Sequence, residues 1–383
     1  MLPWTLKFLW SPFLEMFKTK KYFVVLTQIV SGIGFGLVAL SLQLPHFFAC
    51  SIALLAVVAF SGATHDIATD GVYMTELSKP DQAKYIGWQG AFYNIAKIVA
   101  SGGLVYLAGW LVKHFGGVEG ASGEVMYEAN IHAWMIVMFI MAAVMILLGL
   151  YHTRMLPSGG AAVTEATSFA ETFNKLVEVI LDFFKKKHIW YYIAFIILYR
   201  FAEGFVMKIV PLFLKAGREI GGLGLSEQEI GIYYGTYGAA AFVLGSLLAG
   251  YYISHRGLKR TLFSLCCIFN LPFMAYTLLA IYQPTNGMLI GGAIVLEYFG
   301  YGFGFVGLTL FMMQQVAPGK HQMAHYAFAS GIMNLGVMLP GMVSGFVSDW
   351  LGYRDFFIFI LFATIPAFLI TYFVPFTYPD AKK

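Results

Sequence analysis

Apolar runs of about twenty residues, separated by short polar patches, recur along the chain, and about twenty is the helix length that crosses roughly 30 Å of hydrocarbon. This pattern predicts spans near 2–17, 22–42, 47–74, 87–112, 133–153, 189–214, 229–253, 260–282, 286–316, 322–349 and 355–375. The predicted class is therefore all-α, a polytopic membrane protein with eleven transmembrane helices. The longest polar stretch, 154–188, divides an N-terminal half of five spans, 1–153, from a C-terminal six-helix half, 189–383. Composition agrees: 59% of residues are hydrophobic and 11% charged, where a soluble domain carries about 25% charged residues.

The 154–188 stretch has a pattern of its own. Ser168 and Glu171 have capping-box spacing, and Phe169, Phe173, Leu176, Val177, Ile180 and Phe184 then recur at helical spacing before Lys185, Lys186 and Lys187. An amphipathic helix on the cytoplasmic face is expected, held by its apolar stripe and by lysines near anionic headgroups.

Basic residues set the orientation, because cytoplasmic loops retain them. Lys18, Lys20, Lys21, Lys79, Lys84, Arg154, Lys175, Lys185 to Lys187, Arg256, Lys259, Arg260, Lys320, Lys382 and Lys383 fall on one side. Only Lys113, Lys215, Arg218 and Arg354 fall on the other. The first side is thus cytoplasmic and holds the C-terminus. An odd number of spans then puts Met1 outside, so one helix is expected to be missing upstream of it. The net charge of +4 does not point to nucleic acid, since the basic residues never gather on one polar segment. Cys50, Cys266 and Cys267 lie inside apolar runs without metal-ligand spacing and read as small core residues.

Glycine pairs seven residues apart close three spans: Gly109 and Gly116, Gly250 and Gly257, Gly345 and Gly352. Ser11 to Lys18 keeps the spacing without the closing glycine. These segments end the first, fourth, seventh and tenth predicted spans, which implies a three-helix unit repeated four times. The first small residue admits a neighbouring helix and the second ends its own helix in a tight loop. Such a build resembles the major facilitator fold, whose signature loop G-x-x-x-D-x-x-G-R-K is similar to the stretch from Gly250 to Arg260. Gly250, Arg256, Gly257, Lys259 and Arg260 are the candidate gating-loop residues, with Ser254 where that family has aspartate.

An ionised side chain at mid-bilayer costs about 3 kcal/mol on insertion scales, so those retained tend to face a watery path. Lys7 and Glu15 are assigned to the loop end of the first span. Asp66 and Asp70 share one helix face at i, i+4 spacing beside His65. Paired carboxylates raise one another's proton affinity, which makes these three the candidates for proton coupling. A metal site there would need a third ligand to which the sequence does not point. Arg200 and Glu203, one turn apart, form an internal pair whose guanidinium can pass to a substrate carboxylate. Tyr199 beside them, Tyr93, Asn94 and Lys97 in the fourth span and Glu297 in the ninth complete the candidate substrate-binding set. Gly302, Gly304 and Gly307 spell G-x-G-x-x-G without a preceding strand and are read as close helix packing, not a dinucleotide site.

The segments carrying these charges resemble the AmpG muropeptide permeases and their relatives, the acetyl-coenzyme A transporters, over the whole chain. Leu2 to Pro12 is similar to that family's P-Y-T-L-K-F-L-W-A-P, and Thr64 to Asp70 to its S-Q-D-x-x-x-D. Tyr199 to Phe205 resembles Y-K-L-G-D-A-F, and Glu297 to Gly302 resembles E-x-x-x-x-G. His65 replaces the family's glutamine, Arg200 its lysine, and Asn94 an arginine after the tyrosine, with Lys97 one turn later. The resemblance implies proton-driven import of N-acetylglucosaminyl anhydro-muropeptides across a bacterial inner membrane, in peptidoglycan recycling, by a monomer working through alternating access. The alternatives are carriage of another polar solute, such as acetyl-coenzyme A or a sugar, a membrane-embedded transferase, or a channel. No ordered nucleophile–base set supports an enzyme, and neither cofactor nor metal is expected.

Overall fold

The structure is a computed structural model that describes residues 2–160 and 169–380. The side chains of 169–172 also lie outside the described residues, and with them the Ser168–Glu171 cap, the Phe169 ring and the terminal pair Lys382 and Lys383. Among the described residues every regular element is helical, and eight helices are long and apolar enough to cross a membrane. This is a multi-pass membrane protein. Helices are what such a chain must form, because in hydrocarbon every backbone N–H and C=O has to be satisfied within its own segment.

Several helices outrun the apolar runs that located them. Gly123–Met155 begins about ten residues before the predicted span because the Ser122 hydroxyl accepts the Val125 N–H at 3.4 Å and caps it there. Lys79–Ile98 likewise starts in the polar turn preceding its apolar run. Elsewhere the predicted spans are interrupted. The first is the short succession Leu2–Leu6, Lys7–Leu9 and Ser11–Met16. The sixth breaks at Arg200 (φ −107°, ψ 8°) into Ile189–Tyr199 and Phe201–Lys215, the latter carrying Pro211. Val99–Gly103, Gly231–Tyr237 and Met312–Val316 are π-turns, wider than α and often found at functional positions.

The chain divides into two compact units, Met1–Glu76 with Ala96–Val177, and Leu77–Ile95 with Glu178–Lys383. In the first, Lys20–Ser41 packs on both Phe47–Glu76 and Gly123–Met155, and Leu104–His114 lies along the latter. In the second, Gly238–Arg256 and Leu258–Asn270 pack on Gly287–Phe311, and Phe201–Lys215 packs on Gln322–Ala363. The core of the second unit is aromatic, with Phe213, Phe356, Phe357 and Tyr276 fully enclosed. The G-x-G-x-x-G stretch is helical and buried: a side chain at Gly302 would strike the Phe242 carbonyl, and one at Gly304 would strike Phe269. Those glycines are there for helix contact.

The repeat inferred from glycine spacing has a backbone counterpart. Gly116 (φ 86°), Gly257 (φ 82°) and Gly352 (φ 72°), the closing residues of the three motifs, all take positive φ. So does Lys18 (φ 57°) at the matching place in the fourth. Gly352 breaks the long run from Gln322 to Ala363 near its two-thirds point.

The linker helix Phe169–Phe184 is more embedded than its pattern suggested. Phe173, Val177 and Phe184 of the expected stripe do stay outward, but a second apolar face, Val179 and Phe183, is fully buried. Phe183 stacks on Phe328 at 5.0 Å. Lys186 is not left for headgroups: its ammonium donates to the carbonyls of Val316, Ala317 and Pro318 at 2.6, 3.1 and 2.8 Å, capping a helix C-terminus.

Candidate functional site

Ionised groups meet at one place in each unit. In the first unit, the short N-terminal helices lie against Phe47–Glu76, and the Lys7 ammonium donates to Asp66 Oδ2 at 2.6 Å. The Lys7 side chain is 3% exposed and that of Asp66 41%. Lys7 is therefore an interior cation and not a loop-end residue, because the helix on which it sits stops and restarts around it. Trp10 Nε1 donates to Thr64 Oγ1 at 3.1 Å and closes the same helix pair one turn away. Asp70 is buried and stands within electrostatic reach of Lys7, so the two carboxylates share one cation. His65, on the adjoining face, has Nδ1 3.4 Å from Thr69 Oγ1.

In the second unit the helix break at Arg200 turns its guanidinium back on Glu203. Nε and Nη2 donate to Oε2 and Oε1, both at 2.6 Å, a bidentate pair with side chains 7% and 3% exposed. The guanidinium carbon lies 5.0 Å from the Phe305 ring centre, so its open face meets π electrons. Glu297 is buried on Gly287–Phe311 and accepts the Tyr276 hydroxyl at 3.2 Å. Tyr298 and Tyr301 follow on the same helix, with Tyr234 edge-on to Tyr298 at 4.9 Å. The arrangement is a sealed ion pair and a second carboxyl walled by aromatic rings.

The other candidates divide. Tyr199 points into the core, its hydroxyl donating to the Gly304 carbonyl at 2.9 Å, and it positions the helix end before Arg200. Tyr93 is exposed, and the Asn94 amide is returned to its own helix at the Gly90 carbonyl, 3.0 Å away. Lys97 is exposed just before the Val99–Gly103 π-turn, in the first unit, whereas Tyr93 and Asn94 belong to the second. In the loop motif, Gly250 is buried and Gly257 ends Gly238–Arg256. Arg256 lies over Tyr252, Lys259 over Phe376, and Arg260 is exposed. The carboxylate that Ser254 lacks comes from the chain end: Asp380 accepts the Lys259 N–H at 3.2 Å beside Gly257.

Lys7, Tyr276 and Tyr301 are the neighbours that sequence reasoning left out of the site. Lys7 carried the same signal as Asp66, a charge inside an apolar run. The tyrosines carried none, since nothing in the pattern separates a site tyrosine from a core one.

Two bundles of apolar helices, each with an internal salt bridge and joined by an amphipathic linker, describe a carrier. The sequence matches the Major Facilitator Superfamily over residues 2–316 and 204–383, and the chain belongs to that family. It is a transporter, not an enzyme. Among named relatives, the anhydromuropeptide permease of Escherichia coli K12 is 24% identical over 373 residues, covering 95% of this chain and 69% of that one. AmpG 2 of Rickettsia typhi is 22% identical over 387 residues, with 97% and 84% covered. The crystal structure of the fucose:proton symporter of Escherichia coli superposes with a TM-score of 0.65 at 15% identity, covering 96% of this chain and 90% of that one. That likeness bears on fold alone.

Proposed function

We propose that the chain is a secondary active transporter of the bacterial inner membrane, importing an anionic amino-sugar compound such as an anhydro-muropeptide by proton symport. The observation that carries this reading is the buried bidentate pair Arg200–Glu203. A guanidinium held dry by one internal carboxylate is poised to exchange it for another, and a planar fork suits the carboxylate of a peptide stem. Aromatic rings around Glu297 offer flat apolar faces for a sugar, and Lys97, Tyr93, Asn94 and Tyr199 belong to the proposed substrate set. Relatives named as anhydromuropeptide permeases and AmpG transporters support the substrate class.

Proton coupling is assigned to the first unit. A proton on Asp66 would release Lys7, and Asp70 would take over that cation. His65 stands beside both. The cycle is alternating access by a monomer whose C-terminus and basic loops, including Arg256, Lys259 and Arg260, face the cytoplasm. The test is uptake of radiolabelled anhydro-muropeptide into proteoliposomes under an imposed pH gradient. Asp66→Asn should abolish accumulation while the protein stays folded and inserted. Gradient-driven accumulation at the wild-type level in that variant removes Asp66 from the mechanism.

A further inference from the structure

The first unit holds a second polar feature beside the Lys7–Asp66 pair. Where Lys20–Ser41, Phe47–Glu76 and Gly123–Met155 meet lies a cavity of about 130 Å³, lined on its polar side by Gln28, His65, Thr69 and His152. His152 Nδ1 sits 2.9 Å from Gln28 Oε1. An amide oxygen only accepts, so Nδ1 carries the hydrogen and Nε2 keeps its lone pair in the neutral ring. The Thr69 hydroxyl donates to the His65 carbonyl at 2.8 Å. His65 Nδ1, 3.4 Å from the same oxygen, is then the donor there, and His65 Nε2 is again bare. That nitrogen is buried and has no partner in the protein.

Two imidazoles with unfilled basic nitrogens thus line one chamber. A buried acceptor without a partner costs about 1–3 kcal/mol, so the arrangement persists only if something fills the space. A water takes about 30 Å³ of liquid volume and needs polar partners; the chamber has room for about four. The charged neighbours of His65 are Asp66 on its own helix, with Lys7 and Asp70 beyond it, and the titratable neighbour across the chamber is His152.

We infer that this chamber is a hydrated proton-exchange site in which His65 and His152 hold one proton between them, making His152 a second proton-handling residue. The step balances simply. An N–H bond at Nε2 of one ring breaks, cavity water carries the proton, and an N–H bond forms at Nε2 of the other, with no change in total charge. A second proton is refused because two imidazolium ions would face each other across a few waters. Gln28 is the positioning residue, since it fixes which nitrogen of His152 looks into the chamber. This rests on the proposal that the first unit carries the coupled proton.

The experiment is nitrogen-15 NMR of histidine-labelled protein in nanodiscs across pH, with His65→Gln and His152→Gln spectra assigning the two rings. In wild type the pair should titrate in two steps separated by more than about one pH unit, the mark of coupled sites. In His152→Gln, whose amide still reaches Gln28, the remaining ring should titrate in a single step with its midpoint shifted by about half a unit or more. A His65 midpoint unmoved by His152→Gln overturns the inference. If that variant does not fold, the wild-type curve decides, a single step for both rings being the overturning result. Because the readout is proton binding and not uptake, a coupled pair in a protein that proves not to be proton-driven would sink the proposed function alone. Independent rings in a working symporter would sink this inference alone.

Discussion

Glu203→Gln replaces a carboxylate that accepts two guanidinium N–H bonds of 2.6 Å by a neutral amide. One acceptor oxygen survives, while the other position becomes an N–H pointing at a cation. Arg200 is too strongly basic to neutralise itself, and its side chain is 7% exposed, so its charge is left buried and half-partnered. Breaking a buried pair in this way costs about 3–5 kcal/mol; the lower end applies because one hydrogen bond and the Phe305 face remain. About 3 kcal/mol corresponds to a fall in Tm on the order of 5–10 °C, read by tryptophan fluorescence of the purified protein in detergent. The double variant Arg200→Met with Glu203→Leu removes both charges and should recover most of that loss, as isosteric apolar replacements of buried pairs do. On the proposed function it should nevertheless fail to accumulate the anionic substrate. The two readouts then separate, stability returning while transport does not. A Glu203→Gln protein with the wild-type Tm would refute the reasoning, because the guanidinium would have to be reaching water or another anion.

Three further outcomes follow from the same geometry. Asp66→Asn strands the Lys7 ammonium, 3% exposed, and should lower stability by about 2–3 kcal/mol. Lys7→Met leaves Asp66 partly open to water and should cost under about 1 kcal/mol; equal losses on thermal unfolding would contradict the burial asymmetry. Gly257 (φ 82°, ψ 150°) occupies a region essentially reserved for glycine, so Gly257→Ala should cost about 1–3 kcal/mol. At the matching position Lys18→Gly should raise stability by up to about 1 kcal/mol by removing a left-handed lysine; a lower Tm would break the analogy between the two ends. Gln315 clasps the chain end, its Oε1 accepting the Thr377 and Tyr378 N–H groups at 2.9 and 3.0 Å and its Nε2 donating to the Tyr378 carbonyl at 2.8 Å. Gln315→Leu should make the 373–380 segment sensitive to carboxypeptidase, and unchanged resistance by mass spectrometry would show that the clasp does not hold the tail.

The helices were legible because lipid imposes one rule on every span, and the apolar runs report it directly. Breaks inside spans were not. Arg200 stands in an unbroken apolar run, and the irregular backbone there follows from the pairing with Glu203 and from packing against Gln322–Ala363. The threefold helix period could be read because glycine is the residue that tolerates the left-handed helix end. Lys18, which takes that conformation without being glycine, could be matched only by spacing. Within the sites, single charges in apolar surroundings announced themselves, whereas partners did not. Asp66 was paired in sequence space with Asp70, one turn away, while its nearest cation sits 59 residues upstream on another helix. His152 lay at the end of a span, where a histidine is unremarkable, until its helix brought it to the chamber that His65 lines.

The two ion pairs differ in a way that bears on what each can do. Asp66 is 41% exposed and Glu203 3%, so a proton reaches the first carboxylate from water without any helix moving, whereas the second is shut off in this conformation. A carboxylate open to solvent suits a group that must load and unload protons at each turnover. A sealed pair suits a group that must stay neutral overall until a competing anion arrives, since an unpaired guanidinium there would be costly. The sealed pair also sits at a helix discontinuity, between Ile189–Tyr199 and Phe201–Lys215, and broken helices are where carriers place the groups that meet their cargo. On that argument the proton and the substrate are handled by different units. Coupling between them then has to pass through the helices, not through direct contact of the carried proton with the carried anion.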